Sequence, residues 1–203
     1  VEELELEGNF TLIDDMDKIS RNSQRLLQMI NSLLDLAKIE SGHMSLNITE
    51  LIIKDFIDEL NDTMAPIATK SKNSFSIDNC YPLETVTVDK EKLEHVVLNL
   101  LSNAFKFTEN GQIALVISGT NEQLIIEVKD NGLGLTEEQQ RFVFDEFRQV
   151  DSSQKRKFSG TGLGLAISKR FVDLMQGELT VESTIDEGAT FTIRLPIGQQ
   201  TPH

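Results

Sequence analysis

Asn99, Asn103 and Lys106 recur at i, i+4 and i+7 in the stretch Asn99-Leu-Leu-Ser-Asn103-Ala-Phe-Lys106-Phe107-Thr108. That spacing puts all three on one face of a helix. A neutral amide oxygen can ligate Mg2+, which keeps several waters and shares phosphate oxygens instead of sitting in an all-protein cage. The plainer reading is two asparagines facing solvent, but asparagine is a modest helix former, and two on one face of a leucine-rich helix need a reason. Two glycine turns follow, Asp130-Asn131-Gly132-Leu133-Gly134-Leu135 and Gly160-Thr161-Gly162-Leu163-Gly164-Leu165, the second opening a helical stretch over Ala166–Gln176. Glycine lets backbone N–H groups approach an anion with no Cβ between them, and a helix N-terminus adds unpaired N–H groups and partial positive charge. Asp130 ends an apolar strand just before the first turn. A buried carboxylate there needs a donor, and the amino group of adenine supplies one; the alternative role of a turn-forming cap suits Asn131 better. One glycine run alone could be a tight turn. Together the three segments describe a nucleotide pocket with separate adenine, phosphate and magnesium ends.

The elements that must hold these residues follow from periodicity. Asp89 is placed to cap a helix over Lys90–Phe107. Gln112–Ser118 and Gln123–Lys129 read as a hairpin pair of strands. Thr136 caps a helix over Glu137–Phe144, and Glu178–Ser183 with Thr190–Leu195 forms an antiparallel pair around Asp186-Glu187-Gly188. Upstream, Ser45–Thr49 alternates like a short strand, Leu51–Lys70 is an amphipathic helix with Pro66 disturbing its last turns, and Phe75–Ile77 and Thr85–Val88 are short strands. This mixture predicts an α+β fold, a two-layer α/β sandwich on a mixed, largely antiparallel sheet. Before it, Met16, Ile19, Ser23, Leu26, Ile30, Leu33 and Ala37 step by alternating three and four residues, the seam of a helical bundle, and Ser41-Gly42 stops that helix. The expected organisation is a bundle helix over 1–43, a nucleotide-binding domain over 44–198 and a frayed tail over 199–203.

Composition narrows the partners. The chain has 203 residues and a net charge of −14 from 33 acidic and 19 basic side chains, which argues against nucleic acid, whose binding relies on many Lys and Arg contacts to phosphate. ATP is also an anion, so its site must be locally basic. Lys106 and the cluster Lys155-Arg156-Lys157 are the candidates, although most charge runs of this kind are solvated loop tips. The lone Cys80 allows no intrachain disulfide and fits a reducing, cytoplasmic setting. No apolar run approaches the ~20 residues that span a bilayer, so any membrane anchor would lie outside this sequence.

The three motif segments resemble the N, G1 and G2 boxes of the ATP-binding domain of sensor histidine kinases, in the superfamily that includes gyrase, Hsp90 and MutL. Phe144-Asp145-Glu146-Phe147 resembles the F box, and Glu187-Gly188-Ala189-Thr190-Phe191 the last, G3-like strand start. Met16–Gly42 is similar to the second helix of the dimerisation and phosphotransfer hairpin. The resemblance runs from about Asp14 to Pro196, with the motifs in family order. It implies a Bergerat-type fold, ATP and Mg2+ as ligands, and transfer of a phosphoryl group to a histidine for relay to a response regulator receiver domain. By resemblance Asn103 is the magnesium ligand, Asn99 lies close to metal and phosphates, Lys106 meets phosphate, and Asp130 reads adenine. Phe107 walls the pocket, although a core aromatic needs no such role. Thr190 lies near the adenine, with a plain strand threonine as its alternative. Gln149–Ser159, a polar loop carrying Lys155 and Arg156, corresponds to the ATP lid, with Phe144 and Phe147 anchoring its base. A homodimer through the N-terminal helix is implied as well.

The pattern also departs from the family. The histidines are His43, His95 and His203, and none sits in an acceptor context; His43 follows the helix-stopping glycine, and His95 reads as a surface residue on the N-box helix. The chain therefore reads as a kinase piece without its acceptor segment. Hydrolytic ATPases and serine kinases of the superfamily place a glutamate one turn before the magnesium asparagine, as a general base. Here that place holds Asn99, which cannot take a proton, whereas a neutral imidazole nucleophile needs no base on this domain. A hydrolytic ATPase and a non-catalytic ATP-binding interaction module remain the alternatives.

Overall fold

A computed structural model describes residues 2–148 and 162–197, so of the expected site Lys155, Arg156, Gly160 and Thr161 lie outside the described residues, as does most of the expected lid. The chain divides into two compact units, 1–44 and 45–203.

The first unit is helix α1 (Glu2–Glu40). It ends as the glycine predicted: Gly42 adopts φ 68°, its N–H donates to Ile39 O at 3.0 Å, and the His43 N–H donates to Lys38 O at 2.9 Å. These two bonds satisfy carbonyls that the last helical turn leaves open, the Schellman arrangement. Met16, Ile19, Leu26, Ile30 and Leu33 of the apolar seam are all exposed.

The second unit is built on a five-stranded sheet in the order β2-β4-β5-β7-β6. The strands are β2 (Ser74–Asn79), β4 (Gln112–Gly119), β5 (Gln123–Asp130), β6 (Glu178–Thr184) and β7 (Gly188–Pro196). Only β2–β4 is parallel; the other neighbours are antiparallel, giving the mixed, largely antiparallel sheet expected from the sequence. A separate two-stranded ladder pairs β1 (Thr49–Ile52) with β3 (Thr85–Val88). Helices α2 (Ile53–Ser71), α3 (Lys90–Phe107) and α5 (Gly164–Leu174) contribute the buried residues Phe56 and Leu60, Leu93, Val97 and Leu101, and Ile167 and Phe171. From the sheet, Ile113, Leu115 and Ile117 of β4 and Leu124, Ile126 and Val128 of β5 are equally buried. Each such side chain contributes about 1.5–3 kcal/mol when removed from water. On the opposite face Glu127, Lys129, Thr190 and Arg194, all half-buried, alternate with them, as a half-solvated sheet requires.

Three elements depart from expectation. Residues 45–49 alternate in exposure yet have no ladder partner until Thr49 meets Val88, because the Asn47 N–H donates instead to the Asp89 carboxylate at 2.8 Å. The strand therefore begins only at Thr49, the last residue of the expected strand, and runs on through Leu51 and Ile52, where the sequence pointed to a helix. Helix α2 then starts without a side-chain cap; the Ile53 N–H donates to Glu84 O at 2.9 Å, a start signal supplied from across the chain. Helix α4 (Glu137–Phe142) opens with the full capping box of Thr136 and Gln139 but ends before Phe144.

Candidate functional site

Helix α3 is the spine of the site. Asp89 caps it, accepting from the Lys92 N–H at 3.0 Å and from Lys92 Nζ at 2.6 Å. Its core face, Leu93, Val97, Leu100 and Leu101, fixes the rotation of the helix about its axis. With that rotation set, Asn99 and Asn103 are half-buried. The seam between α3 and α5 can be followed residue by residue. The His95 ring packs edge-on against Phe171, with centroids 5.2 Å apart; one turn on, Asn99 Nδ2 donates to Ser168 Oγ at 2.9 Å. The oxygen of the same amide lies against Gly164, where a Cβ would stand 2.6 Å from it. Successive turns of α3 thus meet earlier and earlier residues of α5, so the two helices run antiparallel. Asn103 lies one turn further, ~6 Å along the axis, next to where α5 begins. Its amide makes no side-chain hydrogen bond among the described residues. Helix α5 has no side-chain N-cap among the described residues. Leu163 is fully buried, so only its backbone can serve a ligand, while Gly162 and Leu165 are half-buried.

The first glycine turn is wedged between two backbones. Gly134 has φ 63°, a conformation L side chains rarely adopt, and a Cβ there would collide with Thr184 O. A Cβ on Gly132 would collide with Phe107 O and stand 2.7 Å from Thr108 Oγ1. The turn is held by Leu133 N–H to Phe107 O at 3.2 Å and Asp186 N–H to Leu133 O at 2.9 Å. Lys106, with its ammonium 4.8 Å from the Phe107 ring centroid, joins Phe107, Gly132, Leu133 and Asp186 around a cleft of about 240 Å³.

Asp130 ends the core-facing row of β5, opposite Ile113 on β4 and Ala189 on β7. Burial pushes its carboxyl above the ordinary value; hydrogen bonds from the backbone N–H groups of Gly132 and Ala189, and the nearby Thr108 hydroxyl, pull it back only partly. The Gly132 bond is 2.9 Å long. The Thr108 hydroxyl is itself buried and lacks a partner of good hydrogen-bond geometry.

The sheet register corrects the expectation for Thr190. It pairs with Lys129, one residue past the Asp130–Ala189 pair, and successive strand residues face opposite sides. Thr190 therefore faces the polar side of the sheet, and Ala189 is the residue on the side of Asp130. Phe147 is corrected too: it is 64% exposed, and what it contributes is its backbone N–H, donated to Gly162 O at 3.0 Å. Phe144 does anchor this region, edge-on to Phe191 with centroids 6.3 Å apart.

Sequence reasoning missed Thr108, Ser168 and Asn73. Asn73 is buried and clamps the exit of α3, donating to Thr108 O and accepting from the Gly111 N–H, both at 2.9 Å. Only Thr108 had a local signal, its place directly after Phe107; the other two act across long sequence separations.

Comparison with known proteins agrees with this geometry. The family described as histidine kinase-, DNA gyrase B-, and HSP90-like ATPase matches residues 88–199. Hybrid signal transduction histidine kinase D of Dictyostelium discoideum is 35% identical over 189 residues, 90% of this chain and 12% of that protein. Sensor histidine kinase RcsC of Escherichia coli is 33% identical over 189 residues, 91% of this chain and 20% of that protein. The chain thus spans only a small part of these relatives. Among solved structures, full-length ShkA in complex with AMPPNP superposes with a TM-score of 0.77 at 28% identity, covering 87% of this chain and 36% of that one. No helix among the described residues is long and apolar enough to cross a membrane. Matched by that family model over residues 88–199, this chain belongs to the histidine kinase-, DNA gyrase B-, and HSP90-like ATPase family.

Proposed function

We propose that this chain is the ATP-binding catalytic part of a sensor histidine kinase. It binds ATP with Mg2+ and passes the γ-phosphoryl group to a histidine on a helical hairpin, for relay to the aspartate of a response regulator receiver domain. The observation that carries this reading is the identity and setting of Asn99. It stands where a hydrolytic ATPase of the superfamily needs a carboxylate, and its amide is already bonded to Ser168. Nothing at that position can take a proton from water or a hydroxyl, whereas an imidazole nucleophile needs no base there.

The remaining residues fit roles in positioning and charge neutralisation, which dominate phosphoryl transfer. Asp130 accepts from the adenine amino group. Phe107 walls the cleft, and Lys106 with the N-terminal turn of α5 (Gly162, Leu163, Gly164, Leu165) faces the phosphates, joined by Gly160, Thr161, Lys155 and Arg156. Among the described residues no group of three or more His, Cys, Asp or Glu could hold a metal, so the donor set suits an ion shared with phosphate oxygens. Asn103, whose amide is unengaged among the described residues and lies next to the start of α5, would be the protein ligand. When bound, Mg2+ would supply charge neutralisation at the phosphates.

The test is transfer in trans. Given ATP, Mg2+ and a folded hairpin bearing the acceptor histidine, the chain should place an acid-labile label on the hairpin and none on itself. ATP consumption that needs no hairpin would favour a hydrolytic ATPase, and binding without either reaction a non-catalytic module. The exposed seam of α1 supports a two-fold homodimer, and Ile30→Glu with Leu33→Glu should leave a monomer in sedimentation with ATP affinity unchanged.

A further inference from the structure

Ser168 is 0% exposed, one turn along α5 from Gly164. A buried serine in a helix commonly turns its hydroxyl back onto the preceding turn; this one meets the neighbouring helix, accepting from Asn99 Nδ2 at 2.9 Å. A side-chain amide has two unlike ends, and its use as an acceptor depends on which end faces the ligand. Two features of α5 act on Asn99 together. The Ser168 oxygen takes an amide hydrogen. The N-terminal turn of α5, rich in N–H donors, attracts an oxygen and repels an NH2 group. Gly164 completes the arrangement, since a Cβ there would stand 2.6 Å from Asn99 Oδ1 and displace it.

We propose that Ser168 is a positioning residue. By accepting the Asn99 amide hydrogen across the α3–α5 seam, it holds the Asn99 oxygen at the N-terminal turn of α5, toward the metal and phosphates. This rests on the reading of that turn as the phosphate end of the site. Ser168 touches neither nucleotide nor metal; it sets the orientation of a residue beside them, and it does so between the two helices that carry the metal and phosphate ends. A change in the spacing of α3 and α5 would therefore break the contact and release the amide.

The experiment uses calorimetric ATP titrations of the whole chain with and without Mg2+, and the 15N–1H resonances of the Asn99 side-chain NH2. Ser168→Ala should weaken ATP binding in Mg2+ by about two- to tenfold, the range of one neutral hydrogen bond, with a smaller loss when Mg2+ is chelated. The Asn99 NH2 resonances should lose their protection from hydrogen exchange. Ser168→Cys, which keeps a weak acceptor, should fall between, and Ser168→Ala added to Asn99→Ala should produce no further loss. Equal losses with and without Mg2+, additive with Asn99→Ala, would make Ser168 a packing residue and overturn the proposal. Unchanged NH2 protection in Ser168→Ala would overturn it as well. If the wild type binds no ATP, the reading of the site falls, and the NH2 protection still decides the orienting contact.

Discussion

Helix α3 has an aspartate near each end, one buried and one half-buried, and the protein treats the two in opposite ways. At the start, Asp89 is 1% exposed and burial works against its charge. The Lys92 side chain and the backbone N–H groups of Asn47 and Lys92 outweigh that penalty and hold its carboxyl below the ordinary value. Beyond the other end, next to Thr108, Asp130 has two backbone donors and a misaligned hydroxyl, and burial wins. Burial opposes the charge of both carboxylates, so that penalty alone does not distinguish them; the supply of donors does. A carboxylate whose partners are all in the fold stabilises the fold. One left short of a donor destabilises the empty protein and gains when a ligand brings the donor. Titratable groups perturbed by burial concentrate at functional sites for this reason.

The sharpest way to break the comparison is to remove each carboxylate and read stability and binding separately. Asp89→Ala removes a cap and strands the Lys92 ammonium, and should lower unfolding free energy by about 2–4 kcal/mol. ATP affinity of the molecules that remain folded should stay within about twofold, by calorimetry at low temperature. Asp130→Asn keeps an oxygen for the Gly132 N–H but, on the proposed reading of the site, turns a donor toward adenine. It should weaken ATP binding by about ten- to a hundredfold, erode the preference for ATP over GTP, and leave the melting temperature equal or higher. A clear fall in melting temperature would place Asp130 with Asp89, among residues that serve the fold.

The pH dependence should carry opposite signs. Asp89 has a depressed folded pKa, so its stabilisation is complete above the ordinary value of 3.8 and is lost as pH falls through the lower folded value. Asp130 has a raised folded pKa, so the fold binds its proton more tightly than the unfolded chain does. Stability attributable to it falls as pH rises from 3.8 to the raised value and stays constant above it. Measured against wild type, the Asp89→Ala deficit should shrink in acid, and any Asp130→Asn gain should appear as pH rises through that window. Smallest of all, Thr108→Val should change stability by no more than about 1 kcal/mol while moving the acid limb of ATP binding to higher pH, because Asp130 loses one of the groups that favour its charge.

Much of this was legible in local sequence. The Asp89 cap and α3 were readable because capping and a 3.6-residue apolar period are local physics, and Gly42 stopped α1 for the same reason. The strand at 45–49 misled because alternation records which side chains face inward, not whether a neighbouring strand exists to pair with. Thr190 misled because a motif names residues without stating their face. The partners of Asn73 and Ser168, 35 and 69 residues away, had no signal near them.

The sequence by itself determined the residue types, their spacing on α3, the two glycine turns and the apolar periods that make each element. Those are properties of a few consecutive residues, and propensity and pattern suffice to specify them. Only the tertiary structure decided that Ala189 and not Thr190 shares a face with Asp130, that Ser168 takes the Asn99 amide, and that Asp130 is short of a donor where Asp89 is not. Strand register, helix rotation and donor supply depend on which surfaces pack together, and that is settled by the whole core at once.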